Sequence, residues 1–321
     1  MIAPENLVIE TSGLSKTYGD VKALSSLNLK VPKNSIFGFL GPNGAGKTTT
    51  IKLLLGLSYP TEGGGKVFGA DITRESIAIR RRIGYLAQTP KFYDHMTSRQ
   101  TLRHKLGFFF SGPKDMIEER IQETLELVEL EDKADRPIKG FSGGERQRLG
   151  IALAQVTHPD LLILDEPAAN LDPMGRHDVL EIMEKLREHA TVFYSTHILD
   201  DVQKVSDTVA ILNKGVLVAQ APIEELLHGS TSIIYDVILE GPTDEAHQLV
   251  LRQDWVTGVK VLEENGHTKL QITVADETKA ESELLRMLMS VSGVLVTEFA
   301  RNKMDLEDVF MKIVEDADND D

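Results

Sequence analysis

The sequence predicts an α/β protein with a mostly parallel sheet core and a helical subdomain, followed by a small α+β domain. Three observations carry that expectation. Short β-branched or apolar runs alternate with amphipathic helical stretches through the first two thirds of the chain. The run IFGFL at 36–40 leads directly into GPNGAGKTT at 41–49. A second run, LLILDEP at 161–167, ends in adjacent carboxylates.

Strands are expected at 36–40, 83–87, 161–164, 192–195 and 209–212. Between the second and third, Ile117, Ile121, Leu125 and Val128 recur at spacings of four, four and three, which marks one face of a helix. The helical subdomain is therefore drawn over about 89–158, within a first domain of 1–229. After the turn-like HGSTS at 228–232 the pattern changes. A strand at 233–239, a helix at 243–252, a strand at 258–262, an Asn265-Gly266 hairpin turn, a strand at 269–274, a helix at 278–291 and a strand at 294–299 follow. That order is βαββαβ, the ferredoxin-like plan, and it defines an accessory domain over 230–315. A last helix at 306–314 sets Leu306, Val309, Phe310 and Ile313 on one face, and DADNDD at 316–321 reads as a disordered acidic tail.

The 321 residues carry 35 basic and 50 acidic side chains, a formal charge of −15, which argues against a broad nucleic-acid footprint. No cysteine is present, so there is neither a disulfide nor thiolate chemistry. The start, MIAPENLVIE, lacks a basic segment followed by an apolar stretch, so a secretory signal is not expected. Every apolar run is far short of the roughly 18 to 20 residues that span a bilayer.

In GPNGAGKTT, the two glycines four residues apart are followed by lysine and a hydroxyl, between a strand-like and a helix-like segment. Glycine lets the backbone curl around a polyphosphate so that N–H groups and the following helix start face the anion. The stretch Gly41, Pro42, Asn43, Gly44, Ala45, Gly46, Lys47, Thr48 and Thr49 then forms a phosphate cradle, with Lys47 on the β- and γ-phosphates and Thr48 on Mg²⁺. The plainer alternative is a strand-to-helix turn with a solvated lysine. Asp165, at the carboxyl end of a buried strand, is placed to hold Mg²⁺, and Glu166 to orient or deprotonate an attacking water. Taken alone, Asp-Glu-Pro reads better as the start of a turn. In FSGGERQRLG at 141–150, Ser142 and Glu145 have the spacing of a helix capping box, yet a cap needs no glycine pair, and Gly143 and Gly144 leave bare N–H groups for an anion.

With these three stretches in this order the sequence resembles the ATP-binding cassette ATPases, over roughly residues 6–228. Further elements agree: Tyr18 in KTYG, Gln88 beyond the strand that begins at Ile83, Asp172 in Asn170-Leu171-Asp172, and His197 in STH. The resemblance implies a P-loop NTPase cassette that binds ATP and Mg²⁺. It implies that Tyr18 stacks on adenine, Gln88 touches Mg²⁺ or the attacking water, His197 contacts the γ-phosphate, and Asp172 couples two sites. It further implies that two cassettes meet head to tail, with Ser142, Gly143, Gly144 and Glu145 of one covering the ATP of the other. The working unit is then a homodimer or a pair with a second cassette. The signature departs from the commonest family form at Phe141 and Glu145, where Leu and Gln are usual. Glutamate adds negative charge near bound phosphate, and altered affinity is expected.

The expected task is that of an ATP-hydrolysing subunit serving separate transmembrane permease subunits, held at the cytoplasmic face of the cell membrane through them. Phe92, Tyr93 and Met96 in TPKFYDHMTSRQTL suit either a docking groove for such a partner or packing between subdomains. The ending LEDVFMKIV looks like the extension of subunits that serve bacterial and archaeal exporters, so export is preferred to import. The rival is a soluble cassette ATPase acting on ribosomes or nucleic acid. Against it stand the single cassette, the lack of sustained heptads and the acidity. A non-catalytic regulatory module conflicts with the presence of Glu166.

Overall fold

The computed structural model describes residues 6–229, 233–241, 243–264 and 267–303. The expected Asn265-Gly266 turn, the helix at 306–314, the acidic tail at 316–321 and the last residues of HGSTS lie outside the described residues. The chain divides into two compact units between Ile223 and Glu224.

The first unit opens with β1 (Leu7–Tyr18), β2 (Val21–Leu27) and β3 (Lys30–Pro32), then β4 (Ile36–Leu40), α1 (Lys47–Leu54), β5 (Glu62–Val67) and β6 (Ala70–Asp71). Apart from β4, these strands form an antiparallel sheet in the order β2-β1-β5-β6, with β3 also paired to β1. After α2 (Ser76–Arg80) come β7 (Ile83–Leu86), α3 (Ser98–Leu106), α4 (Lys114–Leu127) and α5 (Gly143–Gln155), and α3 to α5 pack together. Then follow β8 (Leu161–Asp165), α6 (Pro173–Leu186), β9 (Thr191–Thr196), α7 (Leu199–Val205), β10 (Thr208–Asn213) and β11 (Val216–Pro222), while α8 (Ile223–Gly229) starts at the division and belongs, after Ile223, to the second unit.

The second sheet of this unit runs β11-β10-β4-β9-β8-β7, parallel throughout except for β11 at its edge. Strands β4, β8, β9 and β10 are buried at every position, as a parallel sheet covered on both faces requires, and so their sequences are nearly unbroken apolar runs. Phe193 stacks on Phe37 at 5.7 Å and lies 5.4 Å from Phe39, all three fully buried. Burial of side chains of this size contributes roughly 1.5 to 3 kcal/mol each, which pins the register of β4 against β9. That register sets Leu40 beside Thr196, and the next pair of strands sets Asp165 beside Ser195. Three carboxyl ends therefore finish level, at the crevice where ligands bind in open parallel sheets.

Helix α5 begins with a complete capping box: Ser142 Oγ accepts from Glu145 N–H at 3.2 Å, and Glu145 Oε2 accepts from Ser142 N–H at 2.8 Å. Helix α3 starts on the same device, built by Thr97 and Gln100.

The second unit contains β12 (Ile233–Glu240), α9 (Thr243–Leu251), β13 (Val256–Glu264), β14 (His267–Val274), α10 (Glu277–Lys279), a π-helical stretch over Ala280–Leu284, α11 (Leu285–Met289) and β15 (Leu295–Lys303). Its sheet is antiparallel, in the order β13-β14-β12-β15, so the element order is βαββαβ. Tyr235, Val237 and Leu239 of β12 and Leu270, Ile272 and Val274 of β14 alternate into a core shared with Val250, Leu284 and Leu288.

Candidate active site

The turn after β4 brings a cation to the crevice. Gly46 sits at φ 106, and a Cβ there would lie 2.6 Å from the Ala23 carbonyl oxygen, so the loop needs glycine both for its conformation and for its space. Helix α1 has no side-chain cap, which leaves its first N–H groups without a side-chain acceptor. Gly41 and Ala45 are buried, whereas Pro42, Asn43 and Gly44 are exposed. Lys47 is 6% exposed; its ammonium donates to the Gly41 carbonyl at 2.6 Å and pairs with Glu166 Oε1 at 3.1 Å. Thr48 and Thr49 are half-buried on the first turn of the helix.

The carboxylates come from the end of β8. Asp165 Oδ2 accepts from Thr48 Oγ1 at 3.0 Å, and its Oδ1 accepts from Ser195 Oγ at 2.6 Å. The Asp165 charge and, above all, burial push the Tyr85 phenol above its ordinary value. Glu166 adopts φ 51, a left-handed conformation that costs a residue with a side chain about 1 to 3 kcal/mol. Its N–H is held there by Ser195, through Oγ at 3.0 Å and the carbonyl at 3.1 Å. The twist turns the Glu166 carboxylate to bridge Lys47 and His197, whose Nδ1 lies 2.7 Å from Oε2. Glu166 is 4% exposed and His197 41%, so the chain of contacts runs from a buried lysine to an imidazole open to solvent.

Lys47, Thr48, Asp165, Glu166 and His197 thus form one cluster. The donors around Asp165 are hard oxygens, a carboxylate and a hydroxyl, the chemistry that suits Mg²⁺. Gln88 is not brought into it: it is exposed two residues beyond β7 and makes no hydrogen bond to the cluster. Tyr18 ends β1 with its ring 47% exposed, the Lys16 ammonium 4.8 Å above it, and its hydroxyl 3.4 Å from Ser58 Oγ. Ser195, fully buried between Asp165 and Glu166, is the residue that motif reasoning did not single out; its only sequence signal is its place in STH.

A second locus lies at the start of α5. Ser142, Gly143, Gly144 and Glu145 line a cavity of about 370 Å³ with Asp172 and Arg148. A Cβ on Gly143 or Gly144 would meet nothing within 4 Å, so the two glycines leave the helix start open. Asp172 caps α6, accepting from Gly175 N–H at 2.8 Å. Burial alone would raise the Glu145 carboxyl, but hydrogen bonds from Lys133 and the Ser142 N–H, with the Lys133 and Arg136 charges, hold it below its ordinary value. In the loop after Gln88, Tyr93 is 64% exposed while Phe92 and Met96 are half-buried.

Comparison with known proteins identifies the arrangement. The family model described as ABC transporter matches residues 24–169. The bacitracin transport ATP-binding protein BcrA of Bacillus licheniformis is 34% identical over 292 residues, 84% of this chain and 94% of the relative. The daunorubicin/doxorubicin resistance ATP-binding protein DrrA of Streptomyces peucetius is 33% identical over 308 residues, covering 95% and 92%. Among solved structures, the dimeric post-hydrolysis state of the ATP-binding cassette MJ0796, bound to ADP and Pi, superposes with a TM-score of 0.62 at 25% identity over 67% of this chain and 98% of that one. The structure of an ATP-binding subunit of an ABC transporter gives 0.62 at 29% identity over 70% and 93%. No helix among the described residues is long and apolar enough to cross a membrane. A lysine-bearing glycine loop, a strand ending in two carboxylates and an open helix start on one parallel sheet are those of an ATPase that binds ATP with Mg²⁺, and the chain belongs to the ATP-binding proteins of ABC transporters.

Proposed function

We propose that this chain powers an exporter by closing on ATP as a dimer and reopening after hydrolysis, coupled to separate permease subunits at the cytoplasmic face of the membrane. The observation that carries the reading is the Lys47–Glu166–His197 chain, buried at the lysine and open to solvent at the imidazole, beside the Thr48–Asp165 pair. In this reading Lys47 exchanges its Glu166 and carbonyl partners for the β- and γ-phosphates, and the released Glu166 accepts the proton of the attacking water. His197 orients the Glu166 carboxylate and meets the γ-phosphate. Thr48 and Asp165, with Gln88 from its loop, would hold Mg²⁺, which when bound would supply charge neutralisation for the phosphate oxygens. Tyr18 stacks on adenine, while Ser142, Gly143, Gly144, Glu145 and Asp172 of the second cassette complete the site.

The nucleotide-binding domain is assigned to 1–229, with its helical subdomain over about 89–158. The accessory domain at 230–315 is assigned to dimer contact or regulation. Export is favoured by the names of two relatives, one in bacitracin transport and one in daunorubicin/doxorubicin resistance. Exposed Tyr93 offers a contact for the permease.

Glu166→Gln tests the reading. The amide takes no proton, so ATPase kcat is expected to fall by about 10² to 10⁴ while ATP still binds and the dimer accumulates. Turnover at the parental rate would remove Glu166 from the role of base.

A further inference from the structure

The signature helix carries a carboxylate where an incoming polyphosphate must approach, and the chain provides a counter-charge for it. Lys133, on a one-turn 3-10 segment between α4 and α5 (Glu131–Lys133), sets its ammonium 2.6 Å from Glu145 Oε1. The other oxygen, Oε2, is taken by the Ser142 N–H. Both carboxylate oxygens are therefore turned back onto the chain, and the Gly143 and Gly144 positions stay open beside them. Arg136 also lies near Glu145, but its guanidinium is hydrogen-bonded to the Gly140 carbonyl at 2.6 Å.

We infer that Lys133 is a positioning residue for ATP-driven closure: it neutralises Glu145 so that the start of α5 can accept the polyphosphate bound by a second copy of this chain. The inference rests on the proposed role of the signature in closure. A free Glu145 would keep the capping box but set a full negative charge in the first helical turn, against an anion. The pair thus makes a glutamate at 145 compatible with a function for which neutral glutamine is the commoner solution.

The test uses the full-length chain in the Glu166→Gln background, with ATP and Mg²⁺, and reads the dimer dissociation constant by light scattering. Lys133→Met should weaken the dimer about tenfold at low salt, and by less at high salt, where screening hides the unpaired charge. ATP affinity of the monomer should stay unchanged; Lys133 is 40% exposed but Glu145 only 11%, so nucleotide-free melting should fall somewhat, and the dimer is read well below both transitions. When Glu145→Gln is added, Lys133→Met should have no further effect, since the amide caps without charge. A dimer as strong as the parent's, or the same loss in the Glu145→Gln background, would overturn the proposal. Ser142→Arg separates it from the reading beneath: if that variant dimerises normally, closure through the signature fails and the proposal with it. If Ser142→Arg blocks dimers while Lys133→Met is silent, only the role of Lys133 fails.

Discussion

Ser195 uses both capacities of its hydroxyl: the proton goes to Asp165, and a lone pair receives the Glu166 N–H. Removing it leaves the Glu166 N–H with the Ser195 carbonyl alone, frees an oxygen of the buried Asp165 carboxylate, and loosens the left-handed backbone at Glu166. Ser195→Ala should therefore lower stability by about 1 to 3 kcal/mol, measured by urea unfolding, and reduce kcat without abolishing ATP binding. An unchanged kcat would mean that the geometry at Glu166 is held elsewhere. Lys47, Thr48, Asp165 and Glu166 could be picked out in the sequence because spacing around strand ends constrains them, whereas His197 entered only through the resemblance to the family. Ser195 could not, since one small hydroxyl at the end of an apolar strand carries no pattern of its own. The left-handed turn at Glu166 was equally hidden: nothing in Asp-Glu-Pro announces a positive φ at a glutamate.

At the scale of elements, α3 reaches across to α5 through Lys105, whose ammonium donates to the Leu153 carbonyl. Burial pushes this ammonium down from 10.5 to about 8. The folded value lies below the unfolded one, so between these limits the unfolded chain binds the extra proton, and stability rises with pH across about 8 to 10.5. Below that window the buried charge is fully present and opposes folding. Lys105→Met removes the titration, so melting curves of the variant and parent should converge as pH climbs from 8 to 10, the variant being the more stable at neutral pH. Parallel curves would show that Lys105 keeps an ordinary proton affinity in the folded chain. Legibility at this scale followed burial. The parallel strands β4, β8, β9 and β10 are buried on both faces and read as apolar runs, so they were found within a residue or so of their ends. The antiparallel sheet was missed, because β5 is EGGGKV and β1 mixes Ser12, Gly13, Ser15 and Lys16 into a strand interrupted by register shifts. Capping boxes at Thr97 and Ser142 are local, and the one at Ser142 was visible in its spacing.

At the scale of the molecule, the chain brings two anion-directed loci, the Lys47 loop and the start of α5, on a single cassette, and a net charge of −15. In the proposed function two such loci find a common ligand when two cassettes meet, and ATP is then the link between copies and its hydrolysis the release. The βαββαβ unit was legible because its strands alternate polar and apolar residues at a period of two. In the proposed function the cargo pocket belongs to separate chains that cross the membrane. The most direct measurement is therefore isolation of the Glu166→Gln protein from native membranes with ATP and Mg²⁺, with identification of the chains that accompany it. A polytopic membrane protein in fixed ratio to this chain is the expected result. Recovery with ribosomal or nucleic-acid partners and no membrane protein would contradict the account, leaving the ATPase chemistry attached to a different load.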